Sequence, residues 1–289
     1  MSLAADSPYR VPFDDSFKLI DAPSSPCKPH DQNRALRRQL NKSVEQFEEL
    51  QRRLYAQDTH AVLLVFQAMD AAGKDGTIRA VTSGVNPAGF QVSSFKQPSS
   101  TELDHDFLWR TTCRLPERGR VGVFNRSYYE EVLVVRVHPE YLQQQRLAPG
   151  IDLAQLWEQR FHAIREHERH LYDNGTIVLK FWLNVSKDEQ RDRFLERIDV
   201  EQKNWKFSSA DVKERQHWNE YMSAYEHALN ATSRPWAPWY AIPADNKHYM
   251  RATVAEIIVR TLTNLDPKYP RVSKKKQAEL AQLREALLQ

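Results

Sequence analysis

The sequence predicts a three-layer α/β fold built on a parallel sheet. Three observations point to it. Short, wholly apolar runs recur along the chain, stretches of helical period separate them, and the first run ends in a loop of small residues that holds a Gly-Lys pair. Residues 61–66 (AVLLVF) are continuous and rich in β-formers, which suits a strand buried on both faces. Further strands are expected at 90–95, 121–124, 176–183 and 239–242, giving a central sheet of five strands.

Before the first strand, Pro8, Pro12, Pro23, Pro26 and Pro29 discourage a long helix, so residues 1–30 read as an extended arm lying on the body. From Asp31 to Gln57 the apolar positions Leu36, Leu40, Val44, Phe47, Leu50 and Leu54 mark an amphipathic helix. Later helices are expected at 102–114, 153–174, 187–198, 211–233 and 249–265. Ser186 with Glu189 fits a capping box, and Ser208 with Asp211 is a looser form. The stripe Trp218, Tyr221, Met222, Tyr225 and Leu229 reads as core packing. Residues 273–289 form a charged, peripheral helix.

Composition bounds the function. A chain of 289 residues with 41% hydrophobic side chains can bury a full core. Its 41 Lys and Arg against 38 acids leave a net charge of +3, too small an excess to argue for nucleic acid. The two cysteines, Cys27 and Cys113, form no CxxC pair, so neither a disulfide framework nor a zinc site is expected. With no apolar run of membrane-spanning length and no signal-peptide pattern, the chain reads as soluble, cytoplasmic and without a membrane partner.

Three polar constellations follow strand ends or helices. The first is Gln67-Ala68-Met69-Asp70-Ala71-Ala72-Gly73-Lys74-Asp75-Gly76-Thr77. Small residues let backbone N–H groups curl around a phosphate, a helix N-terminus adds positive potential, and the lysine adds a full charge. This is the context of a P-loop. It departs from GxxxxGK[ST] in two places: Ala68 holds the first Gly position, and Asp75 stands where a Mg²⁺-binding hydroxyl belongs. Asp70 inside an anion cradle points to a metal or substrate-positioning role. The second constellation, Asn125-Arg126-Ser127-Tyr128-Tyr129-Glu130, follows the third strand, where open parallel sheets bind ligands. Arg126 can grip phosphate with a planar fork, and Glu130 can bind Mg²⁺ directly or through water. The third is the basic run Arg191, Arg193, Arg197, Lys203, Lys206, Lys213 and Arg215, which reads as a mobile lid over phosphates, with Trp205 packing it down or touching a base.

Together these pieces resemble the family-2 polyphosphate kinases. The resemblance rests on residues 68–77, on Phe124 to Glu130, on Lys203-Asn204-Trp205-Lys206-Phe207, and on residues 239–247 (WYAIPADNK) as the last core strand and its loop. It implies a P-loop NTPase fold like that of nucleoside-monophosphate kinases, with a helical lid at about 191–215 inside a kinase domain of residues 31–270. The flanks would be the arm at 1–30 and the charged helix at 271–289. It also implies reversible phosphoryl transfer from inorganic polyphosphate to ADP and AMP, giving ATP and ADP, with Mg²⁺ as cofactor. The protein would be a homo-oligomer, a dimer or tetramer. The family's loop Asp and Lys match Asp70 and Lys74, and its lid bases map onto Arg197, Lys203 and Lys206. The second motif often begins with Asp; here it begins with Asn125, the form of the subgroup that accepts AMP as well as ADP, which leaves Glu130 to supply the missing charge. The implied catalytic set is Asp70, Lys74, Asn125, Arg126 and Glu130. Asp70 and Glu130 face the metal, and Ala71, Ala72, Gly73, Asp75, Gly76 and Thr77 cradle phosphate. An ATP-dependent small-molecule kinase and a non-catalytic polyanion-binding module are the alternative readings.

Overall fold

A computed structural model describes residues 3–26, 33–147 and 150–288. Five strands form one all-parallel sheet: β1 (Ala61–Gln67), β2 (Phe90–Ser94), β3 (Val121–Asn125), β4 (Thr176–Asn184) and β5 (Trp239–Pro243). Their order is β2-β3-β1-β4-β5. The apolar runs are strands for the reason their composition gives: β1 and β5 are buried at every residue, as sheets covered on both faces require. Helices α1 (Asn33–Gln57), α2 (Lys74–Val81) and α10 (Lys247–Leu265) pack together as one layer, and α5 (Val134–Val137), α6 (Leu153–Asp173) and α9 (Trp218–Thr232) as the other. The stripe of α9 is mostly core, with Trp218, Tyr221, Tyr225 and Leu229 buried. The predicted start of α1 at Asp31, the cysteine Cys27, and the arm's residues 1–2 and 27–30 lie outside the described residues.

The arm lies on the body. Val11 N–H donates to the Trp239 carbonyl (2.9 Å), and Ala241 N–H donates to the Tyr9 carbonyl (2.8 Å). Arg10 and Tyr240 thereby form an antiparallel bridge along the outer side of β5. Ala5 and Val11 are buried, and the Tyr240 hydroxyl donates to the Ala5 carbonyl.

Two predicted helices are broken. The one expected at 102–114 is two single turns, α3 (Ser100–Leu103) and α4 (Trp109–Thr112). Asp106 interrupts it, because its carboxylate accepts the Leu108 N–H and starts a new turn. The one expected at 211–233 is α8 (Ser209–Gln216) and then α9. His217 sits between them at ψ 23°, wedged edge-on against His138 with ring centroids 4.9 Å apart. Ser208 and Asp211 form a complete capping box, whereas at α7 (Lys187–Asp199) only Ser186 of the expected pair caps, accepting from Glu189 N–H. The last helix, α11 (Lys274–Leu288), has no buried residue. Among the described residues, no helix is long and apolar enough to cross a membrane.

Candidate active site

Parallel pairing puts the carboxyl ends of three strands side by side. Phe66 of β1 is in register with Asn125 of β3, and Asn125 with Ser94 of β2. Loops leaving these ends therefore converge, and a cleft of about 850 Å³ opens there. Its lining holds ten Lys and Arg side chains against three carboxylates, so the cleft is built for a polyanion.

The loop after β1 wraps the first turn of α2. Gly73 takes φ +105°, which a side chain rarely adopts, and an added Cβ would lie 3.2 Å from the Met250 methyl. Two non-glycine residues, Ala71 (φ 62°) and Arg126 (φ 64°), also hold left-handed backbone, the kind of strain that clusters at ligand sites. Lys74 opens α2, and its ammonium donates to the carbonyls of Ala68 (2.6 Å) and Met69 (3.3 Å). Burial, helped by Arg126, pushes its pKa down to about 8. An ammonium under that pressure gains from a phosphate that restores its charge.

Arg126 joins two constellations. Its guanidinium donates to Asp70 (2.7 Å) and to Glu130 (3.0 Å), a fork held between two carboxylates. Glu130 and then Asp70 keep it above its usual value against the cost of burial. Glu130 is only 14% exposed and lies behind Arg126, facing Tyr225 and Glu214 rather than the main cleft. Asn125 donates its amide to Asp75 (2.7 Å).

Beneath this motif lies a closed polar network. Lys180, in the middle of β4, is fully buried and donates to Glu168 (2.6 Å), the Tyr129 hydroxyl (2.9 Å) and the Thr232 carbonyl (2.8 Å). Glu168 in turn accepts from both the Tyr128 and Tyr129 hydroxyls, at 2.9 Å each. The backbone carrying Arg126 and Glu130 is thus pinned from below.

Asp70, Ala71, Ala72, Gly73, Lys74, Asp75, Gly76, Asn125, Arg126, Arg197, Lys203 and Lys206 all line the cleft. Thr77 does not: it is fully buried and its hydroxyl has no partner, so its place is in packing. The basic run divides. Arg193 is buried and brackets the loop, donating to the carbonyls of Ala71, Ala72, Ala244 and Asp245. Arg191 pairs with Asp188 and Asp192, and Arg215 with the Lys187 carbonyl and Gln190, neither in the cleft. Trp205 packs nothing down; it is 78% exposed, with the Lys206 ammonium over its ring at 4.9 Å. Sequence reasoning missed Arg79, Lys96, Glu196, Lys247 and Arg251 in the lining. Lys247 had a signal in the motif at 239–247; Lys96 and Arg251 sit in stretches with none.

The chain is similar to known proteins over most of its length. Residues 30–270 match the family described as Polyphosphate kinase 2. An ADP-polyphosphate phosphotransferase of Rhodopseudomonas palustris is 57% identical over 250 residues, 86% of each chain. An AMP/ADP-polyphosphate phosphotransferase of Meiothermus ruber is 48% identical over 231 residues, covering 80% of this chain and 81% of that one. The crystal structure of polyphosphate kinase 2 from Arthrobacter aurescens TC1 superposes with a TM-score of 0.87 at 36% identity, over 98% of both chains.

Proposed function

The chain belongs to the polyphosphate kinase 2 family and is a polyphosphate-dependent nucleotide kinase, and from that premise we propose that it phosphorylates both ADP and AMP, giving ATP and ADP reversibly. The single observation that carries a polyphosphate donor is the cleft at the P-loop, with its ten cationic side chains against three carboxylates. The Asn125-to-Glu130 motif and the Meiothermus ruber relative support AMP as a second acceptor.

In this reading Lys74 and the amides of Ala71 to Gly76 hold phosphate at the transfer point. Arg126 neutralises charge as the phosphoryl group passes, and Asp70 and Glu130 hold Arg126 in place. Little covalent chemistry is asked of the protein; positioning and fixed charge do the work. Arg197, Lys203 and Lys206 belong to a lid at about 191–215 within a kinase domain of residues 31–270, between the arm at 1–30 and the helix at 271–289. The protein works in the cytoplasm as a homodimer or tetramer.

Mg²⁺ is the metal we assign. Among the described residues no group of three His, Cys, Asp or Glu side chains could hold an ion by itself. That fits Mg²⁺, which is bound through one or two carboxylates and the substrate's phosphates. Asp70 and Asp75 are the carboxylates at hand beside the loop. Bound there, the ion would offset charge on the phosphates.

The test is an assay with polyphosphate, Mg²⁺, and AMP or ADP supplied separately. ADP from AMP and ATP from ADP are expected. ATP from ADP alone removes AMP from the proposal, and activity with ATP as the sole effective donor overturns the polyphosphate reading. The cleft also sets a salt dependence. The KM for polyphosphate should rise severalfold between about 0.05 M and about 0.3 M NaCl, as the screening length shrinks. A KM flat across that titration counts against a charge-built channel.

A further inference from the structure

Two departures from the usual P-loop pattern meet in space. That pattern places a hydroxyl after the lysine and a carboxylate at the end of the neighbouring strand, both on the metal. Here the carboxylate follows the lysine, as Asp75, and the strand ends in an amide, Asn125. The two side chains touch: Asn125 Nδ2 donates to Asp75 Oδ1 at 2.7 Å. One charge and one neutral oxygen-bearing group are kept, with their positions exchanged.

The other carboxylates of the cleft are already engaged. Asp70 is held by Arg126 at 2.7 Å, and Glu196 lies against Lys203 and Lys247. Asp75 has no ion pair with Lys, Arg or His among the described residues, although the cleft is crowded with cations. Lys74, its chain neighbour, turns its ammonium onto backbone carbonyls instead. An exposed carboxylate oriented by an amide and left without a cation is a hard oxygen donor of the kind a divalent ion takes.

We propose that Asp75 is the carboxylate that faces the divalent cation, that Asn125 orients it, and that the pair is an exchanged form of the usual hydroxyl–carboxylate arrangement. The inference rests on the kinase reading for the presence of a metal–nucleotide substrate. Its readout is metal binding, so it stands or falls apart from turnover with polyphosphate.

The experiment titrates the full chain into Mn²⁺–ADP and follows water-proton relaxation. Three variants are compared: Asp75→Ser, Asn125→Asp and the double exchange. ADP binding in EDTA and thermal melting serve as controls for the pocket and the fold. Asp75→Ser should weaken Mn²⁺–ADP binding about tenfold or more, the scale seen when a metal site loses a supporting group. Asn125→Asp alone sets two carboxylates against each other at hydrogen-bonding distance and should not tighten binding by itself. The double exchange should regain most of the lost affinity. A folded Asp75→Ser chain that takes Mn²⁺–ADP as tightly as the unsubstituted protein overturns the proposal. So does a folded double variant that stays as weak as Asp75→Ser.

Discussion

Lys74→Ala should lower kcat by about 10²- to 10³-fold, the scale for removing one preorganised donor from a transition state, while the melting temperature shifts little. The ammonium sits in the first turn of α2 with Ala68 and Met69 carbonyls as stand-ins for phosphate oxygens. When phosphate arrives those bonds transfer to it, whereas Arg126 is tied to Asp70 and Glu130 and Arg193 to backbone carbonyls of the loop. The fold should tolerate the loss because keeping a buried ammonium beside Arg126 is costly, which is why its pKa lies at about 8. The sign of the pH effect follows. The empty site holds Lys74 protonated below about pH 8, so the KM for polyphosphate should rise as pH is raised through that value, and the rise should be absent in Lys74→Ala. Steady-state kinetics beside a thermal melt decide the matter. A folded Lys74→Ala chain with near-normal turnover takes Lys74 out of the mechanism.

Lys180→Ala should cost about 3–5 kcal/mol of stability, the usual penalty for breaking a buried pair from one side. Both Lys180 and Glu168 are completely buried, and every bond of the network is internal. Removing the ammonium strands a carboxylate that water cannot reach, so Glu168 must take up a proton or pull water in. A double replacement by apolar residues of matched volume, Lys180→Met with Glu168→Leu, should recover a large part of that loss. The variant also takes away the ammonium that donates to the Tyr129 hydroxyl, and the carboxylate it strands is the acceptor of both the Tyr128 and Tyr129 hydroxyls, next to Ser127 and Arg126. Turnover should therefore fall in Lys180→Ala even at temperatures where it remains folded. Urea unfolding gives the free energy, and a single-variant loss under about 1 kcal/mol is incompatible with so complete a burial.

Much of this was legible in the chain, for physical reasons. The strands declare themselves because a sheet covered on both faces needs unbroken apolar runs, and β1 at 61–67 is such a run. The loop after it declares itself because Gly-Lys between such a strand and a helix is joined there by Asp70 and by the Asp75-Gly76-Thr77 helix start. What escaped were effects of tertiary contact. Asp106 and His217 break helices through local caps and packing that periodicity does not carry. Arg193 reads as one more base in a basic run, yet its fork closes on four backbone carbonyls from two loops. Thr77 sits in the motif but faces the core. Lys180 did leave a trace: it is the lone charge in Thr176–Asn184, a strand otherwise apolar but for its ends, and a charge there must find a buried partner. Its partner, Glu168, is one acid among several on α6 and carries no such mark.

The bridge between Arg10 and Tyr240 has a bearing on how copies of this chain can meet. An open sheet offers two rims for strand addition, each a row of unpaired N–H and C=O groups that invites runaway association. Along β5 the arm already occupies that rim, taking its hydrogen bonds at Trp239 and Ala241. On the opposite rim β2 is the terminal strand of the sheet, and Val92 is half exposed there. The arm is thus what denies the outer rim of β5 to another strand, and a chain shorn of it would lay that row of N–H and C=O groups bare to a second copy.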